Sequence, residues 1–256
     1  MTKPAQFTAR TSRARGTLPR ALSSSPRDRS GSPHRHHWGR WILGGVAVLL
    51  VLIVAGAAVA VKLQPSPAPL ALPSGTPAAP SGPLAGRWQV AAGSAAGFRV
   101  QETIIGMSNE VGGNTNAVTG TAVLGSDRIA SGSFGINLTM ITVGGKKQPQ
   151  FATSLDTQRY PAATVTLARP VPLSAAFAAG RTATMTAPAE LTLNGTTRPV
   201  TVTITARRAG TALQATGRIP VTFANWGIKQ PTGYGPIGSL AGHGTADFVL
   251  VLHRAG

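Results

Sequence analysis

Residues 84–256 read as an all-β domain, and three observations carry that reading. The first lies in residues 185–206. Met185, Ala187, Ala189, Leu191 and Leu193 fall on alternate positions, as do Val200, Val202, Ile204 and Ala206, with threonines and Glu190 between them. Asn194-Gly195 separates the two runs and suits a tight turn that needs positive φ, so the stretch is a long antiparallel hairpin with one apolar face. The second observation is that the same period of two recurs along the rest of the domain. The third is that Gly, Pro, Asn and Ser separate the runs, and only residues 149–157 have the pattern of a short helix. A lone hairpin is marginal in water, so the other strands must cover its apolar face.

Residues 1–40 form a leader rich in Ser, Pro and Arg and poor in large apolar side chains, which predicts disorder. Nine of the 24 Lys and Arg residues lie there, against the single carboxylate of Asp28. The formal charge of +17 is thus partly leader charge rather than a basic patch on a folded surface, and no nucleic-acid partner is expected. His34, His36 and His37 in this leader read as a solvated or membrane-surface tract, not a metal site. The chain has no cysteine, which excludes disulfides, thiolate catalysis, cysteine metal sites and an acylated lipoprotein cysteine.

Residues 41–61 contain no charged or strongly polar side chain over the length that a helix needs to span a bilayer. The basic leader precedes this run and only Lys62 follows closely. The positive-inside tendency therefore places the amino terminus in the cytoplasm and the domain outside, as a single-pass protein of the cell membrane. Ala58-Val59-Ala60 resembles a signal-peptidase site, but the long leader and long apolar core favour a retained signal-anchor. Residues 62–83 carry a proline every few positions and no charge after Lys62, which predicts a semi-rigid tether holding the domain away from the lipid.

Within the domain, Ala96, Phe98 and Val100 alternate with polar or small residues, as do Phe134, Ile136, Leu138 and Met140, and then Ala163, Val165 and Leu167. After the hairpin come Leu213, Ala215, Gly217, Ile219, Val221 and Phe223, and finally Ala246, Phe248, Leu250 and Leu252. With shorter candidates at 88–91 and 119–125, roughly eight strands result. Two packed sheets and one closed sheet both satisfy this pattern.

The residues also resemble a known family. Gly86-Arg87-Trp88-Gln89-Val90 followed by Ser94 and Phe98-Arg99-Val100, then Tyr160-Pro161, the hairpin through Asn194-Gly195 and the Asn225-Trp226-Gly227-Ile228 turn are similar, in order, to motifs of the YceI-like domain. Lys146-Lys147 and Glu102 depart from it, standing where that family often has Arg-Asp and a histidine or basic residue. The resemblance implies an eight-stranded antiparallel lipocalin-like barrel with one short helix, enclosing an isoprenoid lipid or quinone. The inward apolar residues are then candidate ligand contacts: Phe98, Val100, Phe134, Ile136, Leu167, Leu193 and Phe223. Glu102 continues the Phe98 and Val100 face, where a carboxylate is costly unless bonded, so it is a candidate for a head group; equally, the strand leaves the core there. Trp226 is a candidate at the mouth, though a tryptophan at a barrel end is more often a core plug.

Catalysis is not expected. The domain has six carboxylates, with His243 and His253 on or beside the last strand, but no spacing that matches a hydrolase, zinc or phosphate-loop motif. No cofactor is implied. The glycine-rich stretches 106–113 and 233–244 read as flexible rim loops. A membrane-tethered lipid binder is the leading expectation, and a barrel filled by its own side chains, acting as a cell-envelope interaction module, is the alternative; a lipid-modifying enzyme ranks below both. Period-two patterning does not distinguish a hollow barrel from a filled one.

Overall fold

A computed structural model of the chain describes residues 68–230 and 238–256. The leader, the apolar run 41–61 and the start of the Pro-rich segment lie outside the described residues. Among those described, no helix is long and apolar enough to cross a membrane.

The described residues form eleven strands: β1 Gly86–Val90, β2 Ala95–Ile104, β3 Met107–Thr115, β4 Val118–Leu124, β5 Arg128–Asn137, β6 Ala162–Leu167, β7 Val171–Pro172, β8 Ala183–Leu193, β9 Thr196–Ala209, β10 Ala212–Thr222 and β11 Gly238–Arg254. Two short helices, α1 Pro149–Ser154 and α2 Ala175–Ala178, and two single 3-10 turns accompany them among the described residues. Strands β1, β4, β5, β6, β8, β9, β10 and β11 pair in that order, and β11 pairs back onto β1. The result is an eight-stranded antiparallel closed barrel, which leaves the ring without a free edge. The alternatives that patterning left open are thereby resolved in favour of closure.

Strand β11 makes closure possible by serving two partners along one edge, with β10 on the other. Its last residues pair with β1 (Leu252 with Val90, Arg254 with Trp88), whereas Gly238 to Val249 pair with β2. Its pairing with β10 reaches His243 opposite Thr222, while β2 continues to Ile104 opposite Gly238. The β2–β3 hairpin therefore overhangs the barrel rim as a flap. At the opposite end the interior is closed. Trp88 is buried and its indole N–H donates to the Leu84 carbonyl at 2.9 Å; Ser174 caps α2 by accepting from the Phe177 N–H, and Phe177 is buried beneath the strands.

The central hairpin forms as patterned, with Asn194 and Gly195 at φ 48° and 72°. Its threonine face carries cross-strand hydroxyl contacts, Thr184 with Thr205 at 3.0 Å and Thr192 with Thr197 at 2.8 Å. Three expectations need correction. Residues 138–140 are not strand: the Asn137 carboxamide accepts from the Thr139 N–H at 3.0 Å and turns the chain into a 3-10 turn, which leaves Met140 exposed. The stretch 106–113 is not a loop but most of β3, where Gly113 allows close approach. A Cβ at Gly113 would stand 2.8 Å from the Thr142 carbonyl oxygen and 2.9 Å from Phe98 Cε1. Residues 238–244 likewise belong to β11.

The third correction concerns the Pro-rich segment. Residues 68–83 do not stand off as a tether but run along the outer wall of β9, β10 and β11. Thr216 Oγ1 donates to the Leu70 carbonyl at 2.8 Å, Arg207 donates to the Pro73 carbonyl, and Arg208 Nη2 donates to the Gly82 carbonyl at 2.8 Å. Backbone bonds join Ala78 and Ser81 to Gly210 at 3.0 Å. Prolines have carbonyls but no N–H, so such a segment offers an excess of acceptors, and the two arginines supply donors.

Candidate functional site

The barrel is hollow. Its interior holds a cavity of about 470 Å³, lined almost wholly by apolar side chains. The reason lies in the inward positions themselves, where alanines are interspersed among the large residues. Ala96, Ala122, Ala163, Ala187, Ala189, Ala206, Ala215 and Ala246 all border the space, and Phe134, Leu191 or Phe248 standing among them do not fill it. One or two inward alanines on most of the strands are the signal in the sequence that goes with a hollow barrel rather than a filled one.

Seven of the nine candidate contacts border this cavity: Phe98, Val100, Phe134, Ile136, Leu167, Leu193 and Phe223. Glu102 and Trp226 are not among the lining residues. Glu102 shares the face of Phe98 and Val100 but lies opposite Leu240, on the flap beyond the rim; it is buried and accepts a hydrogen bond from Asn109 Nδ2 at 3.3 Å. Trp226 is the plug rather than the mouth. It is 3% exposed, packs with Leu191 and Val221, and donates from Nε1 to the Leu191 carbonyl at 3.3 Å. The Asn194 amide donates to the Trp226 carbonyl at 3.0 Å, which ties the hairpin turn to this plug.

Several lining residues escape a reading by alternation because they sit on short helices. Phe177 of α2 lies at the closed end, and Phe151 of α1 stacks on Phe98 with ring centroids 4.8 Å apart and planes within 9°. Gln148 beside α1, Gln150 and Ser154 within it, and Lys229 after the Trp226 turn add polar groups to the lining. These four stand at the open end, while Gln214, Thr245 and Asp247 border the space along its wall; an apolar body with a polar tip at the open end is the shape that this space accepts.

Arg99 bridges Glu110 and Asp247 at 3.1 Å each, and Asp247, 4% exposed, also accepts from the Leu70 N–H at 3.3 Å. His253 pairs with Gln89 and Ala212 at the closed end, thirteen positions along β11 from the partner of Glu102. Among the described residues no group of three or more His, Cys, Asp or Glu could hold a metal ion.

The YceI-like domain matches residues 88–248. No curated protein sequence matches the chain. Among solved structures, a polyisoprenoid-binding domain from Saccharophagus degradans, implicated in plant cell wall breakdown, is similar at 16% identity with a TM-score of 0.49, over 67% of this chain and 99% of that one. BcnA from Burkholderia cenocepacia is similar at 16% identity and a TM-score of 0.47, over 60% and 95% of the respective chains. The YceI protein of Campylobacter jejuni matches at 8% identity with a TM-score of 0.41, over 56% and 84%.

Proposed function

The chain belongs to the YceI-like domain family, and from that premise we propose that it is a lipid carrier whose barrel holds the chain of an isoprenoid lipid or quinone. The observation that carries the reading is the 470 Å³ apolar cavity, closed at one end by Phe177 and bordered by polar groups at the other. Removing a long apolar chain from water supplies the affinity, at about 0.8 kcal/mol per buried methylene before ordering costs. The hollow interior favours this over a filled interaction module. The apolar run 41–61 and the basic leader support a tether in the cell membrane with the barrel on the extracytoplasmic side.

A competition series with one head group and increasing prenyl length, against the delipidated full-length protein, tests the carrier. Affinity is expected to rise with each isoprene unit and level off once the cavity is full. Phe98→Asp places a charge in the cavity wall and is expected to abolish binding at every length. Affinity independent of chain length, or none at any length, removes the carrier reading.

A further inference from the structure

We propose that the open end of the barrel docks on an anionic bilayer through an apolar rim formed by the tip of the β2–β3 hairpin and the 138–140 turn, flanked by lysines. This deepens the carrier reading and rests on it.

The tip reads Ile104-Ile105-Gly106-Met107, apolar where a water-facing turn is ordinarily polar. It belongs to the flap that overhangs the rim. Ile105 is 39% exposed, and it stands at φ 50°, a left-handed conformation that a β-branched side chain strongly disfavours. An aliphatic group both strained and wetted costs stability twice over, and burial in lipid would recover the second cost. Met140, 48% exposed, stands at the same end, where the chain leaves β5. Among the described residues the exposed large hydrophobics are these two and Val123, which faces out near the closed end opposite Arg87.

Charge and apolar exposure together select the occupant. Lys146 and Lys147 immediately precede the mouth residue Gln148, and Lys229 borders the mouth itself; all three are exposed. Among the described residues the ion pairs engage Arg99 and Arg128, not these lysines. Towards the closed end Arg207 and Arg208 are committed to the carbonyls of the Pro-rich strap, while Arg87 and Arg254 are exposed and outside the ion pairs of the described residues; the open end differs in setting its cations beside two exposed aliphatic side chains rather than beside Val123 alone. Free cations beside exposed aliphatic side chains suit a surface of anionic headgroups over hydrocarbon.

The strap supplies an independent argument. Traced back from β1, it leaves the closed end, climbs the outer wall past Gly210 and Arg207, and reaches Leu70 beside Asp247, midway along β11. It hands the chain on in the direction of the open end. Six residues, 62–67, then separate Ala68 from the apolar run, a reach of about 20 Å when fully extended. A mouth held against the bilayer lets a prenyl chain pass between lipid and cavity without crossing water.

The chain has no cysteine, so single labels are unambiguous. The full-length protein, as Ile105→Cys, Met140→Cys or Val123→Cys, is labelled with a fluorophore and reconstituted in phosphatidylcholine vesicles containing a nitroxide-lipid quencher, with and without phosphatidylglycerol. Quenching several-fold stronger at positions 105 and 140 than at 123, and stronger with phosphatidylglycerol, is expected. Equal quenching at all three, quenching at 123 alone, or none at any position overturns the docking. Quenching at 105 and 140 that is indifferent to phosphatidylglycerol removes the lysines and the anionic surface from the proposal. The readings beneath it fail separately: an alkaline carbonate wash that strips the protein from vesicles rejects the membrane anchor, and a flat prenyl series rejects the carrier.

Discussion

Two hairpin tips stand at the open end of this barrel with nearly the same backbone and opposite chemistry. Asn194-Gly195 adopts φ 48° and 72°; Ile105-Gly106 adopts φ 50° and 71°. The first pair is what such a turn selects, because asparagine tolerates the left-handed region and glycine is indifferent to it. The Asn194 amide also bonds the Trp226 and Gly227 carbonyls, at 3.0 and 3.3 Å, so the side chain serves the fold twice. Isoleucine has no polar group for such a role and bears the strain. One tip is therefore explained by folding, and the other requires a reason outside the folded chain.

The largest expected effect lies at the first tip. Gly195→Val places a β-branched residue at φ 72°, and its Cβ would run into the Tyr160 ring. Strain and overpacking together are expected to cost roughly 3 kcal/mol or more, read as a lowered midpoint in chemical denaturation. Tyr160 and Asn225-Trp226 are brought to this turn as well, Asn225 through its carbonyl, which accepts from Arg198. Three stretches far apart in sequence thus share one junction. A stable Gly195→Val protein with lost lipid binding would make the turn a ligand contact instead and erase the contrast between the tips.

What was legible in the sequence follows the same division. The β8–β9 hairpin, the β10 and β11 faces and seven lining residues could be read because alternation and Asn-Gly are local signals. Strand β3 was not legible, since Gly112 and Gly113 depress strand propensity, while Gly113 serves the close approach to Thr142 and Phe98. The strap was hidden because proline composition describes a free spacer; its attachment depends on Arg207, Arg208 and Thr216, more than a hundred residues away. At the site, Phe151 and Phe177 lie on helices of six and four residues, too short to show a period. Trp226 ends a 3-10 turn, so strand alternation does not say which way it points.

A smaller effect of opposite sign is expected at the second tip. Ile105→Asn replaces a β-branched residue by one suited to φ near 50°, and removing that strain should stabilise the isolated protein by about 1 kcal/mol. The same variant should weaken vesicle contact at the open end. A gain in denaturation midpoint paired with a loss of membrane contact is the outcome that separates the two tips most sharply. Destabilisation by Ile105→Asn would mean that Ile105 is held by packing within the chain.

The smallest effect belongs to a third turn, between β4 and β5 at the closed end, where Asp127 and Arg128 pair at 3.0 Å. The adjacent guanidinium hydrogen bond holds the Asp127 carboxyl below the usual carboxylate range. A carboxylate whose pKa is depressed by folding contributes stability that is present above its unfolded value, near pH 4, and lost as the pH falls through the folded value. Both side chains are more than half exposed, 64% and 57%, so water and salt screen the pair. Gly125 is held to the Arg128 carbonyl by a 2.8 Å backbone bond that does not depend on either charge. Asp127→Asn should therefore leave the neutral-pH midpoint unchanged within error, and only the shallow acid limb of the stability profile should flatten. A clear loss at neutral pH would show that this turn is held by its ion pair, and that backbone geometry, which suffices to explain Asn194-Gly195, does not suffice at the other end of the barrel.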